Sequence, residues 1–205
     1  MGCDIHAIVQ AKKDGKWVDV ESKWKQDRHY FLFSWLADVR NGYGFAGVPT
    51  YAPITPISTP RGLPDDFEVS SAMHQVTDPK VMGHRAEYLE EGDTPEMYMG
   101  DHSHSWLTAD EILAAQSPDK VWQTGIVERS WFDMWDGVNG PDSWSGGISG
   151  NSVRVAESPT DVTADSTHVR IWWIKSGDTL NYFTDEIRRL RDLHGEVRIV
   201  FGFDS

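Results

Sequence analysis

From Cys3 to Lys12 apolar and polar side chains alternate. Cys3, Ile5, Ala7, Val9 and Ala11 fall on one face, and Asp4, His6, Ile8, Gln10 and Lys12 on the other, as the two-residue period of a strand requires. Asp14-Gly15 follows, a dipeptide suited to a two-residue hairpin turn. A second strand is therefore predicted from Trp17 to about Glu21. A helix is predicted from about Arg28 to Val39, with Asp27 as its N-cap. Its apolar residues Phe31, Phe33, Trp35, Leu36 and Val39 nearly encircle it, which predicts burial on most sides.

Between Asn41 and Asp66 the pattern gives way to glycine and proline. Pro49, Pro53, Pro56, Pro60 and Pro64 all lie here, and each removes a backbone donor and restricts φ, so a long loop is predicted. Short helices are predicted near Ser70 to Gln75 and near Arg85 to Glu91. Thr108-Ala109-Asp110-Glu111 has the spacing of a capping box, which starts a helix carrying Ile112, Leu113 and Ala115. Val121 to Arg129 reads as a strand and Ser130 to Trp135 as a helical turn, followed by a Gly/Ser loop over 136–152. Thr167 to Lys175 is rich in β-branched and aromatic residues and reads as a strand. Thr179 to Leu193 reads as a helix with Leu180, Phe183, Ile187 and Leu190 on one stripe. Arg188, Arg189 and Arg191 lie in its last turns, and Gly195 follows as a cap. Val197 to Phe203 closes the pattern, with Val197, Ile199, Phe201 and Phe203 on one face.

These elements predict an α+β fold. One mixed sheet is expected to hold the N-terminal hairpin and a C-terminal β-α-β unit, joined by a right-handed crossover between parallel strands. Helices are expected mainly on one face. The expectation is a single domain over 1–205, with long loops at 41–66 and 136–152. The first and last strands, each with a clean apolar face, are expected to be neighbours.

Charge narrows the partners. Nineteen Lys and Arg stand against 32 Asp and Glu, a formal net charge of -13, which argues against broad binding to the nucleic-acid backbone or to anionic membranes. A small anionic ligand held by one or two arginines remains compatible. The apolar runs are too short to span a bilayer, and no charged segment followed by an apolar one reads as a signal peptide. The single cysteine, Cys3, precludes an internal disulfide and fits a reducing cytoplasm. Its place opposite Asp4 and His6 favours a buried small hydrophobe over a nucleophile.

The candidate chemistry centres on strand one. Asp4 and His6 project from one face roughly 7 Å apart at about 3.3 Å of rise per residue. Such a pair can share a metal, hold a phosphate-bearing ligand through bridging groups, or pair with an arginine. Arg61, between Pro60 and Gly62-Leu63-Pro64, presents a guanidinium from a stiff loop, suited to phosphate or carboxylate. It can equally be tied to Asp4, Asp65 or Asp66. Arg28 opens the first helix and can bind a ligand or anchor that helix through an ion pair. His102, Ser105 and Trp106 precede the capped helix, whose N-terminal amides favour an anion. The ligand-binding candidates are thus Asp4, His6, Arg28, Arg61, His102, Ser105 and Trp106. The metal alternative uses Asp4, His6 and His102, with His104 as a further ligand, around Zn²⁺ or Mn²⁺. Trp144, in a Gly/Ser loop, is a candidate for stacking on a ligand ring. No P-loop, Gly-x-Gly-x-x-Gly or Gly-x-Ser-x-Gly segment occurs.

Several segments, taken in order, carry a resemblance. They are Met1 to His6, Arg28 to Phe33, Leu36 to Arg40, Pro60 to Pro64, His102 to Thr108 and Val197 to Asp204. Together they resemble a family of small phage- and prophage-encoded proteins that begin with the same six residues. The motifs cover about a third of the chain and span it end to end; residues 67–101 and 136–166 carry none of them. The resemblance implies a phage accessory protein acting in the host bacterial cytoplasm, of a kind that often counters host defence, sometimes by trapping or destroying a nucleotide signal. Three functions are therefore expected to compete: a binder of a small nucleotide-type ligand that needs no cofactor, a metal-dependent phosphoesterase, and an acidic inhibitor that docks on a host protein. A homo-oligomer is compatible with each.

Overall fold

The computed structural model describes residues 2–67, 99–115, 117–118, 120–176 and 180–204. The helices predicted near Ser70 to Gln75 and Arg85 to Glu91 lie outside the described residues. In chain order the elements are β1 (Asp4–Lys13), β2 (Lys16–Asp19), α1 (Tyr30–Ala37), β3 (His102–Thr108), α2 (Ala109–Ala114), β4 (Lys120–Glu128), α3 (Arg129–Phe132), β5 (Val155–Ala156), β6 (His168–Ser176), α4 (Asn181–His194) and β7 (Val197–Asp204). The fold is α+β, as the sequence predicts. The chain groups into two compact units. One is built from residues 2–29, 57–116 and 180–205, the other mainly from residues 30–56 and 117–179.

The first unit holds a four-stranded sheet in the order β2-β1-β7-β3, with every adjacent pair antiparallel. Asp14 and Gly15, both at positive φ, close the predicted hairpin. The first and last strands pair from Asp4↔Asp204 to Ala11↔Val197, so the two ends of the chain meet inside one sheet. β7 is the centre of this unit and is buried on both faces up to Phe203. Its sequence is close to a continuous apolar run, the pattern a doubly covered strand needs.

Directly paired residues share a face, so the register assigns both sides of the sheet. Phe203, Phe201, Ile199 and Val197 lie with Ile5, Ala7, Val9 and Ala11. Ile8, Val200 and Trp106 lie on the opposite face, where Leu63, Phe67 and Met99 pack with them. α2 and α4 pack on each other and on β7. The predicted stripe Leu180, Phe183, Ile187 and Leu190 is buried, and Gly195, at φ 83, ends α4 by donating to the Arg191 carbonyl.

One carboxylate ties α4 to the segment after β2. Glu186 is forked by Arg189 at 2.7 and 2.7 Å and accepts from the Lys23 N–H at 2.7 Å and the Ser22 hydroxyl at 3.3 Å. The Arg189 hydrogen bonds, and then the Lys23 and Ser22 donors, outweigh burial and pull its pKa down to about 2.

The second unit holds a sheet in the order β4-β6-β5, antiparallel between β4 and β6 and parallel between β5 and β6. This corrects the predicted crossover. The strand-helix-strand segment exists as β6-α4-β7, but its two strands lie in different sheets. β7 has both edges filled by β1 and β3, and β6 has both filled by β4 and β5, so neither offers the other an edge.

Val127, Ala156, Val169, Ile171 and Trp173 form the second core, with Trp131, Phe132, Trp135 and Trp144 against it. Trp144 is therefore a packing residue, contrary to its reading as a ligand-stacking loop residue. It meets Trp173 edge-on at 5.5 Å between centroids and lies over Gly125, where a Cβ would come within 2.5 Å of its ring. The missing side chain at Gly125 makes the space that the indole fills.

α1 is shorter than predicted, running from Tyr30 to Ala37 and not from Arg28 to Val39, so Asp27 is not its N-cap. Asp38 takes a positive φ just after it. Leu32 to Ala37 are all buried, matching the apolar encirclement. The buried Ser34 hydroxyl meets the Tyr51 phenol, and Tyr51 also donates to the Arg40 carbonyl at 3.1 Å. Burial pushes the Tyr51 phenol up from its ordinary pKa. Among the described residues no helix is long and apolar enough to cross a membrane.

Two outcomes follow from this packing. Gly125→Ala should lower stability by about 1–3 kcal/mol through overpacking against Trp144, read from the denaturant midpoint. Glu186→Gln should lower it by about 1–3 kcal/mol at neutral pH, because charged hydrogen bonds are lost. The Glu186 pKa lies below the ordinary glutamate value of 4.5 when folded, so its stabilisation is present above that value and lost as pH falls towards 2. The gap between wild type and Glu186→Gln should close over that interval in pH-dependent melts.

Candidate functional site

The polar residues of β1 come together with those of β7 because Asp4 faces Asp204 and His6 faces Gly202. Alternation then places Asp4, His6, Gly202 and Asp204 on one side of the sheet. Arg28 forks onto Asp4, with Nε donating to Oδ1 at 2.8 Å and Nη2 to Oδ2 at 2.6 Å. Arg28 thereby holds the Asp4 carboxyl below its ordinary pKa. Asp204 accepts from the Asp4 N–H at 3.2 Å and from His6 Nε2 at 3.0 Å. All four side chains keep some access to solvent, at 48% for Asp4, 46% for Arg28, 31% for His6 and 23% for Asp204.

Gly202 lets β3 and the segment before it close onto this face. A Cβ at Gly202 would sit 2.0 Å from the Met99 carbonyl oxygen and 2.6 Å from His104 Cδ2. The His104 imidazole therefore covers the spot opposite His6. Paired Cβ positions in antiparallel strands lie about 4.5–5.5 Å apart, which puts the His6 Cβ within roughly 8 Å of the His104 ring. His104 Nε2 donates to the Gly100 carbonyl at 3.1 Å. His6 Nε2 donates to the Asp204 carboxylate, an acceptor-only group when ionised. An imidazole that donates through Nε2 has Nδ1 as its acceptor nitrogen whenever the ring is neutral. The edge of β1 beyond β2 is held by Gln26, whose amide accepts from the Ala7 N–H and donates to the Ala7 carbonyl at 2.9 and 2.7 Å.

The remaining candidates distribute along and across the sheet. Trp106 pairs with Val200 and so shares the face of His6. Arg61 stacks on the Trp106 ring at 4.4 Å and donates to the Trp106 carbonyl at 2.8 Å and to Glu111 at 3.0 Å. Its partner is Glu111, not Asp4, Asp65 or Asp66. Ser105 is fully buried opposite Phe201 and accepts the Arg61 N–H at 3.4 Å. His102 pairs with Phe203 and stacks on it at 6.1 Å, on the side away from Asp4 and His6. A bulge at 102–105, with Ser103 at φ 53, separates His102 from His104.

Two expectations change here. Asp4, His6 and His102 do not share a face, and among the described residues no group of three His, Cys, Asp or Glu is arranged to hold a metal. The capped helix is α2, only six residues long, and its N-terminus is already filled. Thr108 Oγ1 accepts from the Glu111 N–H at 3.2 Å, and Glu111 accepts from the Thr108 N–H at 2.7 Å. Burial would raise the Glu111 carboxyl, but the Thr108 N–H, Arg61 and the Thr108 hydroxyl together hold it below its ordinary pKa. The capping box stands as predicted, and it is an internal carboxylate that takes the anion's place.

Sequence reasoning missed Asp204 and Gly202. The alternation of Phe201, Gly202, Phe203 and Asp204 marks two residues facing away from the aromatic side. Only the pairing with β1 says that these two meet Asp4 and His6. No protein-family model, curated protein or solved structure matches the chain.

Gly202→Ala should disturb this face selectively. The new methyl must push back the Met99 carbonyl and the His104 ring, which should cost about 1–3 kcal/mol and move the His104 ring resonances in a proton–carbon NMR spectrum.

Proposed function

We propose that the protein is an accessory protein of the phage-encoded kind its motifs resemble, and that it binds a small nucleotide-type ligand on the sheet face around Gly202. The observation that carries this reading is one juxtaposition. Solvent-accessible Asp4, Arg28, His6 and Asp204 form one linked polar group on the face where His104 lies against Gly202, which also carries Trp106 with Arg61 stacked on it.

Such a face offers what a nucleotide needs. The carboxylates and imidazole Nδ1 atoms accept from base and ribose donors, and Arg28 supplies positive charge near a phosphate. The apolar floor of Ile8, Val200 and Trp106 lies next to it. Retention without turnover is the simplest chemistry for this face, because each charged group is engaged by a neighbour and held in place. A sequestering protein needs that kind of preorganisation, and it needs no activated water.

Calorimetry against a panel of cyclic dinucleotides and cyclic ADP-ribose variants tests the reading. At least one should bind, and mass spectrometry of the eluted ligand should find it unchanged. Asp4→Asn should weaken that binding about tenfold or more through loss of a charged hydrogen-bond network, while Asp14→Asn in the hairpin should leave it intact. Absence of heat with every ligand at high protein concentration would refute the proposal.

A further inference from the structure

Arg198 lies on the same face of β7, towards the other end of the strand, and is only 3% exposed. Its Nε donates to Gln10 Oε1 at 2.9 Å, and its Nη1 to Asp66 Oδ1 at 2.6 Å. The guanidinium stacks on the Trp17 indole at 4.3 Å. Gln10 is itself fixed by donating to Asp19 at 2.9 Å, which turns its oxygen towards Arg198. Three contacts therefore hold the guanidinium in one orientation, yet its Nη2 is buried with no hydrogen-bond partner among the described residues.

That orphan donor is informative. A guanidinium meets a carboxylate or phosphate best through two parallel N–H bonds, and a buried charged donor left unpaired is destabilising. Arg28 and Arg189 each realise the fork internally, on Asp4 and Glu186. Asp66 gives Arg198 one bond only. The Asp66 side chain is 60% exposed against 3% for Arg198, so the acceptor sits at the solvent side of a buried cation. It belongs to the Pro-rich loop that also lays Leu63 and Phe67 on this face.

We propose that Arg198 is an oxyanion subsite and that Asp66 is its internal stand-in. A phosphate group displaces the Asp66 carboxylate, takes both Nη1 and Nη2, and loosens the hold of the 57–67 loop on the sheet. The subsite deepens the ligand reading given above by adding a second place for a phosphate, apart from Arg28, and it rests on that reading only in assigning the phosphate to a nucleotide.

The probe is inorganic phosphate, titrated into the full chain by calorimetry. Asp66→Asn removes the competing charge and should bind phosphate about tenfold or more tightly than wild type. Adding Arg198→Lys should abolish that gain, with circular dichroism confirming the fold. In the wild type, phosphate should speed amide exchange in residues 57–67. If Arg198→Lys does not fold, the Arg198 Nε–H resonance in Asp66→Asn protein must shift on phosphate addition. Equal phosphate affinity in wild type and Asp66→Asn overturns the subsite, as does a gain that survives Arg198→Lys or an unshifted resonance. A cyclic nucleotide bound equally well by Arg198→Lys overturns the assignment of the subsite to a nucleotide phosphate and leaves the ligand reading standing. Phosphate bound by Asp66→Asn with no nucleotide bound by any form supports the subsite and overturns the ligand reading.

Discussion

β7 is hydrogen-bonded on both edges and covered on both faces, so every side chain it carries must find a place in packed protein. On one face that is simple, because Val197, Ile199, Phe201 and Phe203 are apolar. On the other face the strand carries Arg198, Val200, Gly202 and Asp204, and burial forces a specific answer for each. Val200 joins Ile8 and Trp106. Gly202 admits a carbonyl and an imidazole. Asp204 accepts hydrogen bonds from His6 Nε2 and the Asp4 N–H. Arg198 takes Gln10, Asp66 and the face of Trp17. The candidate site and the proposed oxyanion subsite are two consequences of threading polar residues through the middle of a sheet, where an unpaired polar group is expensive.

The same demand explains where the arginines went. A chain with many more acids than bases leaves few cations unclaimed, and Arg28, Arg61, Arg189 and Arg198 each hold a carboxylate. The surface pairs contribute little to stability, but they orient side chains. Arg28 fixes the carboxylate of Asp4, and Arg61 links a proline-stiffened loop to a helix cap. Glu111 shows how economical this is, serving at once as the reciprocal half of a capping box and as the partner of Arg61.

The second unit solves a different packing problem. Its sheet is narrow, and Trp173 on β6 is joined in the core by large rings from outside the strands, Trp131, Phe132, Trp135 and Trp144. A glycine on β4 receives Trp144, and Gly140 makes similar room beside Trp173, where a Cβ would lie 2.3 Å from the indole. Tryptophans in glycine-rich loops thus need not be ligand platforms. A glycine on one segment and a tryptophan on another, strand against loop in either order, are complementary halves of one core.

Local order was legible in the sequence. The alternation of Cys3 to Lys12, the Asp14-Gly15 turn, the Thr108–Glu111 capping box, the α4 stripe ending at Gly195 and the apolar face of β7 all depend on neighbours within a few residues, where period and turn chemistry decide. So did the polar face of β1, and with it Asp4 and His6. Tertiary structure alone decided the rest, because it turns on register and on which edges are free. It put β6 and β7 in separate sheets by filling all their edges, set His102 on the far side of the sheet through a bulge, and gave Arg61 to Glu111 and Asp66 to Arg198. It also brought Asp204 to His6 across 198 positions of sequence. A carboxylate in a sequence does not name its partner. Only the pairing of strands from opposite ends of the chain selects one, since in a sheet a shift of a single residue would have turned every one of these side chains to the other face.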